Sequence, residues 1–476
     1  MNIEEILANN PLIKPWKGDF GGLPPFDSVK IADFEPAMRA AMQIKLKEVD
    51  AIADSKEEAS FKNTIEAMEL TGAEFDRVLT IYGIWSSSMS TKEFQEVENV
   101  MEPELAGFSD KIVQNSNLFK RIEKIRNSSE FGSLTSEQQR LTDDYYKMFI
   151  RSGAKLDDAA KKRLTEINAE LAGLFTKFSQ NLLSDENDLI VELSSKDDLK
   201  GLPQSLVDAS ANAAKSKGLE GKWIINNTRS SVDPFLTYSE RRDLREKVWN
   251  MFVNRGDNGG EHDNNKLITE ILKLRAERAK VLGFESHAHW RLQNTMAKTP
   301  KKAIELMESV WTPAVERVKE EVKDMQDLAN KQGDKITIEP WDYRYYAEKV
   351  RKAKYDLDQN EVKPYLQLEK LREGMFWVAG ELFGFEFSAL TGIPVYHTDV
   401  RVWEVKDKAS GKHIGLWYFD AYAREGKRSG AWMNNYRDQY RIKDEVTTIV
   451  SNNSNFVKGN PGESVLISWD DASTLF

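Results

Sequence analysis

The chain has 476 residues, 40% hydrophobic and 30% charged, with 77 acidic against 67 basic side chains and a net charge of −10. That length calls for more than one core. The acidic balance argues against a nucleic-acid-binding body while leaving room for a local basic groove, and the lack of any cysteine removes disulfides and thiolate metal sites.

The opening stretch, Met1 to Trp16, has neither the basic start nor the apolar core of a signal peptide. No window reaches the run of about 20 apolar residues that a membrane helix needs. A cytoplasmic protein is expected, with a mature extracytoplasmic form left open. From Asp157 to Leu183, apolar residues fall at Ala160, Leu164, Ile167, Leu171, Leu174, Phe175, Phe178 and Leu182, which predicts one long helix with a single buried face. The paired acids Asp157 and Asp158 read as its start. Gly256, Gly259 and Gly260 lie near Asn258, Asp263 and Asn264, and read as a polar turn. They lack the Lys-Ser/Thr of a phosphate loop and the periodic carboxylates of a calcium loop.

A second long helix is expected from Thr299-Pro300, with threonine as cap and proline at the first position. Its stripe is Ile304, Met307, Trp311, Val315, Val318, Val322, Met325 and Leu328, and Gly333 ends it. Pro313 predicts a kink or a split near Trp311. Beyond about Val395 the pattern turns to strands. Val395–Val405 and His413–Ala423 predict a hairpin around Asp407 to Gly411, with further strands at Thr447–Asn452 and Ser464–Ser468. Asp470 or Asp471 is the expected cap of a last helix, whose apolar residues Ala472, Leu475 and Phe476 end the chain as if cut. Val465, Ile467, Leu475 and Phe476 are therefore expected to lie uncovered.

The five histidines, His262, His287, His289, His397 and His413, form no H-E-x-x-H and no inverted H-x-x-E-H. His287 and His289 with Glu285 are the only cluster, and helix positions two apart do not face each other. His397 reads as structural. No G-x-S-x-G elbow occurs.

Several runs resemble the zinc peptidyl-dipeptidases of the thimet oligopeptidase and oligopeptidase A group. They include Leu23-Pro24-Pro25-Phe26, Phe34-Glu35-Pro36-Ala37 and Phe61 to Glu66. Ser152 to Leu156, Leu274 to Phe284 and Met296 to Pro300 follow. The most specific is Pro340-Trp341-Asp342-Tyr343-Arg344-Tyr345-Tyr346, leading to Lys363-Pro364-Tyr365. Val395 to Val405 and Ser429 to Met433 complete the series, in the expected order.

The resemblance implies a mainly α, multi-helical, two-lobed peptidase fold around a substrate channel, with a small β-sheet late in the chain and the catalytic helices missing. It implies an N-terminal helical region over 1–219. Residues 220–476 would be the first part of the metallopeptidase domain, helical to about 390, with a sheet at about 395–468 and the start of the zinc helix at 470–476. In that family H-E-x-x-H would follow Phe476 directly, so catalytic residues and zinc ligands are expected after it and none within the chain. The complete enzyme would hold zinc and remove C-terminal dipeptides from oligopeptides; this chain alone would hold no metal and be inactive. Gly430, Ala431 and Trp432 are similar to the family's substrate-binding strand, whose edge can bond an extended peptide. The expected partners are short peptides, with no nucleic acid and no membrane, and the chain is expected to be a monomer. The alternative is a non-catalytic helical peptide-binding or scaffold protein.

Overall fold

Apolar residues at steps of three and four run through most of the chain, and helices result. The computed structural model describes residues 3–459 and 462–476. It is mainly helical, with a small five-stranded sheet near its end. The described residues fall into two compact units. The first comprises Met1–Trp16, Pro24–Gln180 and Asn264–Met307; the second comprises Lys17–Leu23, Asn181–Asp263 and Glu308–Phe476.

In the first unit, Phe61, Ile65, Ile122, Ile125 and Phe149 meet in one apolar core. The predicted strut is a helix from Asp158 to Asp188. Asp157 caps it, its Oδ1 accepting from the Ala160 amide at 2.8 Å. Ile167 and Leu171 of its stripe are buried against Ile271 and Leu274.

The second expected helix runs unbroken from Pro300 to Gln332. Thr299 Oγ1 accepts from the Lys302 amide, and Gly333, at φ +85°, ends it. Pro313 removes one hydrogen bond from the ladder but does not divide the helix. The expected stripe is only partly covered. Met325 is buried, whereas Trp311 is 69% exposed, and Met307 and Val318 are also exposed.

The second unit carries both sheets. β1 (Ile190–Leu193) and β2 (Trp223–Asn226) pair antiparallel and were not foreseen. Strands of four residues are too short to show a period. The main sheet is built from β3 (Phe385–Leu390), β4 (Arg401–Asp407), β5 (His413–Tyr422), β6 (Trp432–Arg437) and β7 (Thr448–Phe456), in the order β3-β4-β5-β7-β6. The predicted hairpin is β4–β5, and Asp407 Oδ1 fixes its turn by accepting from the Ser410 amide at 2.7 Å. β7 pairs parallel with β5 and antiparallel with β6. Trp403, Trp417 and Phe419 form the core beneath the sheet.

The end of the chain differs from expectation. Residues 464–468 form no strand, only a bridge between Gln367 and Leu466. Ser468, not Asp470 or Asp471, caps the last helix, Trp469–Leu475, with Asp471 completing a capping box. Ile467 and Leu475 are buried in the sheet core, so only Phe476, 61% exposed, fits the uncovered reading well.

The motif beginning at Pro340 gains a physical account. Asp342 is fully buried and takes hydrogen bonds from Arg242 Nη2 at 2.9 Å and Arg245 Nη2 at 2.7 Å. Arg245, itself buried, also donates to the Ser239 carbonyl and lies 4.2 Å from the Tyr345 ring centre. Removing one partner of a buried ion pair strands the other charge, at a cost of about 3–5 kcal/mol. Asp342→Ala is therefore expected to lower the urea midpoint strongly. Arg242→Ala, at a partly exposed member of the pair, should lower it far less; equal losses would show that the buried charge is not the source.

Candidate functional site

A cavity of the second unit, about 450 Å³, lies at the end of the sheet. Gly430 and Ala431 line it, together with Ser454, Asn455 and Phe456 of β7 and the first turn of the last helix, Ser468 to Asp471. Two of the three expected substrate-binding residues thus share one cavity with the helix that the resemblance marks as the zinc helix. Trp432, the third, is the first residue of β6 and does not line it.

Only Trp432 of the three lies within a regular strand. Gly430 has φ +101° and its Cβ position is open, so glycine is required by the backbone rather than by crowding. β6 is an edge strand, with β7 as its one described neighbour. An edge of this kind leaves backbone groups free to pair with an extended chain.

The approach to that edge is held by side chains. Lys427, fully buried, donates to Asp420 Oδ1 at 2.9 Å, and to the carbonyls of Asp420 at 3.0 Å, Tyr422 at 2.9 Å and Ser454 at 2.6 Å. Arg424 grips both oxygens of Asp420, at 2.7 and 2.9 Å. Burial alone would raise the Asp420 carboxyl, but the Arg424 hydrogen bonds and the Lys427 charge hold it below the usual carboxylate range. Ser429 donates to Glu186 at 2.7 Å, and Asn455 Nδ2 donates to the carbonyls of Arg428 at 2.9 Å and Gly430 at 2.7 Å. Lys427, Asn455 and Glu186 escaped the sequence reading. Their spacing to the strand carries no motif, and a buried lysine looks in sequence like an exposed one.

The far wall of the cavity is charged. Asp233 lies 3.0 Å from Arg344 and 3.4 Å from Arg229. Burial raises its carboxyl against the pull of these arginines. Burial also lowers Lys363, opposed by Asp471.

The histidines go elsewhere. His289 Nδ1 is 2.9 Å from Ser286 Oγ, while His287 packs on Trp290. His397 Nδ1 accepts from the Asp399 amide, and His413 sits 3.1 Å from Glu404. The glycine-rich turn is tied down by Asp185, which accepts from the Gly256 amide at 2.7 Å and Asn258 Nδ2 at 2.9 Å.

The family model of peptidase family M3 matches residues 235–476. Dipeptidyl carboxypeptidase of Escherichia coli (strain K12) is 35% identical over 454 residues, covering 95% of this chain and 66% of that protein. The Salmonella typhimurium protein of the same name is 34% identical over 471 residues, covering 99% and 69%. The chain belongs to peptidase family M3. Oligopeptidase A of Escherichia coli (strain K12), at 27% identity over 476 residues, covers 98% of this M3 chain and 68% of its own length. The chain thus spans about two thirds of the length of these relatives.

M3 peptidases are metallopeptidases, and a catalytic zinc takes three protein ligands. Among the described residues, no group of three or more histidines, aspartates or glutamates could hold a metal ion. The described residues of this M3 chain offer no such set.

Each carbonyl contact of Asn455 is worth roughly 1 kcal/mol. Asn455→Ala is expected to speed amide exchange of Trp432 to Tyr436 about tenfold while β4 and β5 stay protected. Uniform change across the whole sheet, or none, would remove Asn455 as the tether of β6.

Proposed function

We propose that this chain is the larger part of a zinc metallopeptidase that removes dipeptides from the C-termini of short peptides. The observation that carries the reading is its identity of 35% and 34% to two dipeptidyl carboxypeptidases over nearly its whole length, against 32% and 31% to two oligopeptidases A of Arabidopsis thaliana and 27% to that of Escherichia coli. In this reading the zinc ligands and the general base lie outside these 476 residues, and the chain supplies the peptide-binding wall. Gly430, Ala431 and Trp432 present the peptide-binding edge. A peptide laid along β6 would gain backbone hydrogen bonds whatever its side chains, which suits an enzyme acting on many short peptides. Lys427, Asn455 and Glu186 hold that edge in place, so that little order is lost when a peptide docks.

The family match over residues 235–476 supports taking 220–476 as part of the metallopeptidase domain, with 1–219 as a helical region before it. No helix among the described residues is long and apolar enough to cross a membrane. We further propose a cytoplasmic monomer whose partners are peptides; the net charge of −10 argues against a nucleic-acid partner.

The chain alone is expected to bind no stoichiometric zinc and to release no dipeptide. Extension at the C-terminus by the remaining third of the Escherichia coli dipeptidyl carboxypeptidase should bring both. Metal analysis and a dipeptide-release assay on the two proteins test this. Zinc-dependent release by the chain alone would place a metal site within it and overturn the reading. An extended protein that folds, binds peptide and stays inert would favour the non-catalytic, peptide-binding alternative.

A further inference from the structure

In a protein of net charge −10, one region of the first unit gathers arginines without contact ion pairs. Three guanidinium groups lie around a single indole. Arg278, Arg291 and Arg151 are 4.6, 5.6 and 5.8 Å from the Trp290 ring centre. Arg275 precedes Arg278 by three residues on the helix Asn265–Val281, so both project from one face. It packs over Phe175 at 5.0 Å.

None of these four arginines forms an ion pair with a described carboxylate, and Glu277 and Glu285 are engaged elsewhere. Glu277 holds Arg163 through two hydrogen bonds, at 2.7 and 2.9 Å. Glu285 faces His289 at 3.5 Å. Asp110 receives the Asn168 amide on both oxygens, at 3.0 and 3.1 Å, and its charge reaches Arg278 without a contact pair. What the arginines do contact is neutral. Arg278 donates to Asn168 Oδ1 at 3.2 Å and Arg151 to Gln293 Oε1 at 2.7 Å. The indole attracts cations through its face but cancels none of their charge. The Nε atoms of Arg275 and Arg278 and the Nδ1 of His287 are buried with no hydrogen-bond partner. Arg291 is exposed, which leaves the cluster open on one side.

We infer that Arg151, Arg278 and Arg291 around Trp290, with Arg275 beside Arg278, form a binding site for a small multivalent oxyanion of the phosphate or polyphosphate class. A guanidinium fork matches two oxygens of such an anion, and a single carboxylate fills only one fork. Several converging forks are met only by an anion with oxygens pointing in several directions. His287 adds no charge at neutral pH. Burial, and then Arg275, Arg278 and Arg291, push it down to about 4. It is therefore a built-in reporter, because a bound anion would offset those arginines and raise it.

The test is calorimetric titration of the whole chain with inorganic phosphate and with tripolyphosphate, at ionic strength matched by sodium chloride to hold screening constant. Saturable one-site binding is expected, at least tenfold tighter for tripolyphosphate. Arg291→Gln, at an exposed position that folding tolerates, and Arg278→Gln should each weaken it at least tenfold. Lys62→Gln, which removes the same charge from an exposed site elsewhere in that unit, should not. The His287 ring, followed by NMR, should titrate at higher pH with tripolyphosphate bound. Binding that Lys62→Gln weakens as much as Arg291→Gln, or that leaves His287 unmoved, overturns the site. Tighter binding of a polyglutamate peptide than of tripolyphosphate overturns the ligand class and assigns the cluster to an acidic protein surface.

Discussion

A lysine with no exposed surface, donating to four oxygens, is the constraint on which the sheet end depends. Lys427 ties the end of β5 to the end of β7, and the chain between them has to pass around it. An ammonium group taken out of water is costly unless its hydrogens are satisfied and a negative charge lies close. Asp420 supplies the charge, and Arg424 keeps that carboxylate in position from the other side. The path from Tyr422 to Gly430 is therefore set by charge and hydrogen bonding, with little apolar packing of its own. β6 begins where this path releases the chain.

The same economy of charge separates the two arginine groups. Around Asp342, two guanidinium groups share one carboxylate with no exposed surface, and the arrangement closes on itself. Around Trp290, arginines in similar number meet an aromatic face and neutral amides, and nothing described closes the balance. The first arrangement is a clasp and the second is a receptor. The difference lies in where the acids went: Glu277, on the helix of Arg275 and Arg278, is taken by Arg163, and Asp110, held by Asn168, acts on Arg278 without a contact pair.

Long periodic elements were legible in the sequence because many residues vote for them. The strut Asp158–Asp188 and the helix Pro300–Gln332 stand where the pattern placed them, and so does the β4–β5 hairpin, except that its first strand begins at Arg401 rather than Val395. Short elements were not. β1 and β2 have four residues each, and β3 follows the apolar helix Leu368–Phe383, whose Phe383 and Gly384 blur the boundary. Residues 464–468 have the composition of a strand, yet their backbone pairs only locally with the segment around Leu366 and Leu368. Ser468 displaced Asp470 as the cap because its hydroxyl and the Asp471 carboxylate can satisfy two amides reciprocally. At the candidate site, Gly430 and Ala431 were visible as a family-like string. The lysine and asparagine that hold them were visible only in three dimensions.

The strand order carries a consequence for how the sheet assembles. β5 and β7 lie side by side, yet 25 residues of chain, Ala423 to Thr447, including all of β6, separate them in sequence. β6 pairs with β7 across the ten residues Asp438 to Thr447, so that hairpin closes locally, whereas the parallel β5–β7 pairing has to close the longer loop. The parallel pairing is then the late step, and β6, an edge strand with β7 as its one described neighbour, can detach while the rest persists. A peptide lying along its outer side would act as a sixth strand and slow that detachment, making the ligand a late contributor to the order of the sheet that receives it.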